Sequence, residues 1–126
     1  MSLDMYAEEI LDHYRNPKNF GKLDKPDVKV RELNPLCGDQ YEFQVKVSDG
    51  KITDVKFNGD GCAISTASAS ILSEFIKGKK ISELKKMEQK DLLNLLGIEV
   101  SPARIKCAML AFNIVKKVVE ESGKKK

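Results

Sequence analysis

The sequence lacks the features of a membrane-spanning or secreted chain. Its 126 residues contain no apolar run approaching the roughly 20 residues needed to cross a bilayer. A secretory signal needs an apolar stretch near the N-terminus, but that segment carries Asp4, Glu8 and Glu9. We therefore expect a cytoplasmic protein that does not bind a membrane.

Signatures of nucleic-acid binding and of several kinds of catalysis are missing too. The formal net charge is only +3, and residues 124–126 supply much of it, so no broad basic face is predicted and nucleic acid is not an expected partner. The chain has no glycine-rich phosphate loop, no Ser-His-Asp set and no paired catalytic carboxylates. Its single histidine, His13, is expected to cap or pack at the surface rather than bind a metal.

Cysteine is scarce, and its number is odd. The chain has three cysteines, and thiols stay reduced inside cells, so a disulfide framework is not the expected use of them. They are predicted to be free thiols or metal ligands. The chemistry open to this chain is therefore thiol and metal chemistry.

The length and the hydrophobic pattern predict a single domain over residues 1–126 with an α+β fold. An amphipathic helix should end at Asn16-Pro17, and three strands and then further helices should follow. We expect a three-stranded antiparallel sheet with helices packed on one face. The predicted elements are strands near 28–33, at 41–48 and around Ile52, Val55 and Phe57, then helices at 64–76, 81–87, 91–96 and from Ser101-Pro102 onward.

Two local patterns make more specific predictions. Ile52 falls on the opposite face from Val55 and Phe57, so we expect it near the Asp49-Gly50 turn or at a bulge. Residues 65–70 are all small, which would let another element approach closely. The helix that contains them is predicted to pack centrally.

The three cysteines sit where the chain changes from one element to the next. Cys37 lies in a tight loop, Asn-Pro-Leu-Cys-Gly-Asp, before the second strand. Cys62 follows Gly-Asp-Gly and opens a helix, so the positive end of the helix dipole should lower the pKa of its thiol. Cys107 lies in the second turn of the last helix. A residue at such a junction can face solvent while the neighbouring helix or strand holds it in place, as binding sites require.

Three thiolates and one carboxylate would complete a four-coordinate site for zinc or iron. Asp39 is the nearest carboxylate, two residues after Cys37. The alternatives are that the cysteines are small core residues and that Asp39 is an ordinary turn aspartate. Lys106 is either a solvated lysine or a partner of the metal-thiolate charge beside Cys107.

Three ordered motifs resemble the IscU/SufU/NifU N-terminal family of iron-sulfur cluster assembly scaffold proteins. They are Asn-Pro-Leu-Cys-Gly-Asp at 34–39, Gly-Cys-Ala-Ile-Ser at 61–65 and Arg-Ile-Lys-Cys at 104–107, and the opening segment at 6–20 is similar as well. The resemblance implies that Cys37, Cys62 and Cys107 are ligands of a [2Fe-2S] cluster. It also implies that Asp39 either ligates the cluster or tunes its lability.

The sequence departs from each branch of this family. The IscU branch has a histidine before the last cysteine. This chain has Lys106 at that position, and the SufU branch has a lysine there as well. The SufU branch carries an insertion of about twenty residues that is missing between Gly78 and Val100, and the IscU chaperone motif Leu-Pro-Pro-Val-Lys reads Val-Ser-Pro-Ala-Arg here, at 100–104.

The resemblance implies an assembly scaffold rather than an enzyme. It would receive sulfur from a cysteine desulfurase and pass the cluster to apo iron-sulfur proteins, with Zn²⁺ as a candidate occupant of the cluster-free form and a homodimer as one candidate assembly. The first alternative is a SufU-like zinc-bound sulfurtransferase that accepts persulfide sulfur. The second is a purely structural zinc module, which would need a closed site.

Overall fold

The structure, a computed structural model, describes residues 3–34, 38–97 and 102–125. Its elements follow the predicted order of one helix, three strands and then helices. They are α1 (Leu3–Arg15), β1 (Val28–Asn34), β2 (Asp39–Ser48), β3 (Lys51–Asp60), α2 (Ala63–Ile76), α3 (Ile81–Leu84), α4 (Gln89–Leu96) and α5 (Pro102–Lys125). Within those ranges no helix is both long and apolar enough to span a membrane.

The strands form an antiparallel sheet in the order β1-β2-β3, as predicted. On the central strand, Tyr41, Phe43 and Val45 are buried, because alternate side chains of a strand point to the same face. The turn from β2 to β3 places Asp49 and Gly50 at φ 52° and 74°. Two consecutive residues with positive φ are typical of the tight hairpin turns that match the twist of antiparallel strands.

The predicted irregularity at Ile52 is present. The pairing of β2 with β3 shifts register between Lys46 and Val47, so that Ile52 pairs with Val47 near the turn. The shift lets Ile52 be fully buried even though the simple alternation of the strand would turn it outward.

Helix α2 lies at the centre of the packing, against α1, α5 and β3. The small residues Ser65–Ser70 are all buried, which confirms the predicted close approach of neighbouring elements. Helix α5 packs against β1 and β2 as well as α2. Its buried residues lie around most of its circumference, because it has the sheet on one side and helices on others.

The prediction that His13 packs at the surface is wrong. His13 is only 9% exposed, and its Nδ1 lies 2.7 Å from the Ser70 hydroxyl. The Lys18 backbone N–H donates to that hydroxyl oxygen over 2.8 Å, which leaves the Ser70 proton available for the imidazole. The histidine therefore ties α1 to α2.

One end of the sheet collects the segments that matter for the site. At this end β1 finishes and β2 begins, with Asn34 paired to Asp39. Strand β3 finishes there as well, with Asp60 paired to Gln40, and the chain then enters α2. The prediction that the cysteines lie at element junctions is confirmed for Cys62.

Candidate metal centre

Three of the four predicted ligands converge in space. Asp39 opens β2, Cys62 immediately precedes α2, and Cys107 lies in the second turn of α5. One carboxylate oxygen and the two sulfur atoms all lie within 4.8 Å of one another. A single metal ion fits between donor atoms at that spacing. The fourth predicted ligand, Cys37, lies outside the described residues.

Cys62 sits at the N-terminus of α2 as the residue that caps it. Its backbone is extended, its carbonyl accepts from the Thr66 N–H over 3.0 Å, and its Sγ lies 3.4 Å from the Ser65 hydroxyl. The first amides of a helix have no partner within the helix, and one of them, the Ser65 backbone N–H, helps to lower the pKa of this thiol. The position favours a negatively charged sulfur over a neutral thiol.

The pKa of the Cys62 thiol lies below its ordinary value. Burial raises this pKa, but hydrogen bonds from the Ser65 hydroxyl, the Ser65 backbone N–H and the Cys107 thiol outweigh that effect, and the nearby charge of Asp39 opposes them. The direction predicted for a cysteine at a helix start is thus confirmed. Ser65 and Cys107 act on the thiol in addition to the helix terminus.

The lowered pKa predicts the alkylation profile of metal-free protein. Cys62 should react with iodoacetamide with a midpoint below the ordinary pKa of 9.0, because only the thiolate is nucleophilic and more of it is present at a given pH. Each cysteine falls in a separate tryptic peptide, so mass spectrometry can follow Cys62 alone. The same residue in guanidinium-denatured protein is the control. A native midpoint at or above the denatured one would contradict the prediction.

Asp39 is a buried carboxylate, so its interpretation as an ordinary turn aspartate is wrong. It is 4% exposed and belongs to β2, directly after Gly38, whose φ is 75°. Its Oδ2 accepts a 2.9 Å hydrogen bond from the Ser65 hydroxyl. Burying a carboxylate is costly unless it has partners, so its burial beside two thiols indicates a specific role.

Cys107 is 7% exposed and also belongs to the site. The two interpretations left open for it, core residue and ligand, therefore do not exclude each other. The packing of α2 against α5 brings its sulfur to Cys62.

Sequence reasoning missed the polar residues that surround these donors. The Tyr41 hydroxyl lies 2.6 Å from the Thr66 hydroxyl and 3.3 Å from that of Ser65, and burial raises the pKa of Tyr41, so the phenol keeps its proton. Gly61 completes the arrangement, because a Cβ there would lie within 2.7 Å of Ser65, Asp39 and Tyr41 atoms. The available signals were the glycine next to Cys62 and the presence of Ser65 at the end of the motif at 61–65.

Lys106 is exposed and precedes Cys107. It lines an open surface cavity of about 300 Å³ together with Leu33, Asn34 and Met109. Among the residues that the structure describes, Lys106 makes no hydrogen bond or ion pair with the candidate ligands, so a role for it beside a bound metal stays a prediction.

The family model of the NifU-like N-terminal domain matches residues 5–126. This chain belongs to that family. The resemblance drawn from the three motifs is confirmed.

Two relatives of this NifU-like chain illustrate the range of the family. The iron-sulfur cluster assembly scaffold protein IscU of Haemophilus influenzae is 37% identical, over 92% of this chain and 94% of its own. The zinc-dependent sulfurtransferase SufU of Bacillus subtilis is 36% identical, over 94% of this chain and 92% of its own. A crystal structure of a candidate SUF-system scaffold protein from Fervidobacterium islandicum is 28% identical with a TM-score of 0.78, over 94% of this chain and 99% of that one.

The alignments with the Haemophilus IscU and the Bacillus SufU differ in length, which shows a difference between this chain and SufU. The alignment with the Haemophilus protein runs over 120 residues, whereas that with SufU runs over 137, more than the 126 residues of this NifU-like chain. An alignment longer than one of its chains includes positions where that chain has no residue. SufU of Bacillus subtilis therefore carries residues that this chain lacks, as the comparison of motifs predicted.

Proposed function

We propose that this NifU-like chain is a scaffold on which a [2Fe-2S] cluster is assembled and from which it is transferred. Cys37, Asp39, Cys62 and Cys107 are its four terminal ligands, and residues 1–126 form one domain. The observation that carries the proposal is the convergence of Asp39, Cys62 and Cys107, from three separate elements, to within 4.8 Å. Cysteine thiolates are the usual ligands of such clusters, and each iron needs two terminal ligands.

The donor set favours transferable cargo over a permanent structural ion. Structural zinc sites are closed and built from cysteine and histidine. Here Asp39 supplies a carboxylate oxygen, and Cys62 is only half-buried, so solvent or a partner thiol can reach it. A carboxylate oxygen is a harder and weaker ligand for iron than a thiolate. A scaffold that must release its cluster needs one ligand of this kind.

The lowered pKa of Cys62 suits the sulfur-receiving step. A thiolate attacks the outer sulfur of a persulfide on the donor, which we infer to be a cysteine desulfurase. The outer sulfur moves to the scaffold, and the donor cysteine leaves as a thiolate, so this exchange needs no oxidant. Each such sulfur becomes a sulfide of the cluster only after an external electron donor supplies two electrons. The cluster is later passed to apo iron-sulfur proteins.

The second candidate function is that of a zinc-bound sulfurtransferase. Lys106, at the position where the IscU branch has histidine, favours it, and so does the similarity to a SufU. The same four residues would hold Zn²⁺, and the chain would pass on sulfur rather than a cluster. We place it second because this chain lacks residues that SufU of Bacillus subtilis carries.

Anaerobic reconstitution separates the two functions. With Fe²⁺, sulfide and a thiol reductant, the purified protein should develop the visible absorption of a [2Fe-2S] cluster, with about two irons per site, because three thiolates and one carboxylate supply its terminal ligands. The loaded protein should then restore the spectrum of an apo-ferredoxin. Iron, acid-labile sulfide and zinc are measured in the same sample.

A protein that stays colourless and keeps one tightly bound zinc would contradict the scaffold. It would support the sulfurtransferase if it also accepted radiolabelled sulfur from a desulfurase supplied with cysteine. A bound cluster that never reaches the apo-ferredoxin would contradict transfer.

A further inference from the structure

Ser65 occupies a central position among the candidate ligands without being one of them. It lies in the first turn of α2, three residues after Cys62, and is fully buried. Its Oγ lies 2.9 Å from Asp39 Oδ2, 3.4 Å from Cys62 Sγ and 3.1 Å from the Cys62 carbonyl oxygen. The serine therefore links β2 to the start of α2 at the point where the donor atoms meet.

The Ser65 hydroxyl has one proton, for which Asp39 Oδ2, the Cys62 carbonyl oxygen and the Cys62 sulfur compete, and the 3.4 Å contact with the sulfur is the longest of the three. A carboxylate is the strongest acceptor among them, and the contact to Asp39 is also the shortest. Among the residues that the structure describes, Ser65 is the hydrogen-bond donor to the Asp39 side chain. This bond fixes the torsion of the carboxylate and with it the direction of its remaining lone pairs.

The surroundings of Ser65 hold its hydroxyl in this place. The Tyr41 hydroxyl lies 3.3 Å away and is itself fixed by a 2.6 Å hydrogen bond to Thr66. A Cβ at Gly61 would come within 2.6 Å of Ser65 Oγ and 2.7 Å of the Tyr41 hydroxyl, so the backbone passes as close as a glycine allows. The hydroxyl is thus confined between a phenol, a glycine and the carboxylate.

We propose that Ser65 is a positioning residue that aims the Asp39 carboxylate at the metal held by Cys62 and Cys107. Ser65 does not touch the metal and acts through Asp39. The inference rests on the proposed function only in taking Asp39 to be a ligand. Hydrogen-bond partners of metal ligands commonly change metal affinity by about 10–100-fold when they are removed.

The test is Zn²⁺ binding by purified, metal-free protein, measured by competition with a chromophoric chelator. Ser65→Ala should weaken Zn²⁺ binding about tenfold, at the low end of that range because the residue acts on one ligand of four. Ser68→Ala is the matched control, since Ser68 is a buried serine on the same helix whose hydroxyl has no partner among the described residues. It should bind Zn²⁺ like the wild type.

Two further readouts separate positioning from a general structural effect. The visible ligand-field bands of bound Co²⁺ should shift in Ser65→Ala but not in Ser68→Ala, because they report the geometry of the ligands. In an Asp39→Ala background, Ser65→Ala should lose much less Zn²⁺ affinity than in the wild type, since the residue through which it mainly acts is gone and only its contact with Cys62 remains. Ser65→Thr, which keeps the hydroxyl, should restore most of the affinity.

The inference would be overturned if Ser65→Ala left both the Zn²⁺ affinity and the Co²⁺ spectrum unchanged. It would also be overturned if Ser65→Ala lowered the Zn²⁺ affinity by the same factor in the Asp39→Ala background as in the wild type. If Ser65→Ala does not fold, a crystal structure of the wild type with Zn²⁺ decides, and a Ser65–Asp39 contact that is lost on metal binding would overturn it. None of these outcomes contradicts the proposed scaffold function as long as the wild type binds metal. If the wild type binds neither Zn²⁺ nor a cluster, the proposed function fails first.

Discussion

Replacing Cys62 with serine should weaken Zn²⁺ binding at least a hundredfold and abolish stable cluster binding. Structural zinc binds with roughly 10–16 kcal/mol shared among four ligands, so a lost thiolate costs about 3 kcal/mol, or about a hundredfold in affinity. Serine keeps the size of the side chain but is a poor ligand, because its hydroxyl stays protonated. Cys107→Ser should behave alike, since its sulfur lies within 4.8 Å of the other donor atoms.

Zinc competition and anaerobic iron reconstitution of the same preparations check this prediction. Ser68→Ala controls for the loss of a buried polar atom in the core. Cys37→Ser tests the one predicted ligand that lies outside the described residues, and the same loss is expected. If each single variant kept a full cluster, the cysteines would not be its ligands.

Replacing Asp39 with alanine should slow cluster transfer more than tenfold and lengthen the lifetime of the cluster. An oxygen ligand among thiolates is the weakest bond to iron, so exchange with an incoming acceptor thiol should begin there. The charge of Asp39 also raises the pKa of Cys62, which means that it destabilises the neighbouring thiolate. Removing it takes away this labile bond and that repulsion, and the thiol reductant of the reconstitution mixture can take the vacated position on iron as a stronger ligand.

Lifetime and transfer must be measured side by side. Loss of the visible absorption without an acceptor gives the lifetime, and the rate at which apo-ferredoxin acquires its cluster gives the transfer. The absorption spectrum should change as well, because one terminal ligand changes. Wild-type values for the spectrum, lifetime and transfer rate would show that Asp39 is not part of the site.

The equilibrium affinity for Zn²⁺ should fall in Asp39→Ala, although the lifetime of the cluster rises. A single zinc ion needs four donors, so losing one weakens its binding even where cluster release slows. The two measurements therefore test different properties of the same carboxylate. A rise in Zn²⁺ affinity would contradict its role as a ligand.

Most of the fold was predictable because its signals are local. Alternating residues in β2, the Asp49-Gly50 turn and the small-sided α2 each depend on neighbours in the chain. The sequence also showed that Ile52 breaks the alternation of buried and exposed residues in β3. The register shift between Lys46 and Val47 explains why Ile52 is nevertheless buried. His13 was placed wrongly because its partner, Ser70, lies on a different helix.

For the candidate site, too, the local features were predictable from the sequence and the long-range contacts were not. The sequence by itself determined the donor types, the position of Cys62 at a helix start and the family motifs, since each is a property of a short segment. Only the tertiary structure decided that Cys107 meets Cys62 and that Asp39 is buried beside them, because the packing of α2 against α5 and β3 brings distant segments together. It also revealed Ser65, because a serine in a run of small residues shows no role until the carboxylate that it binds is known.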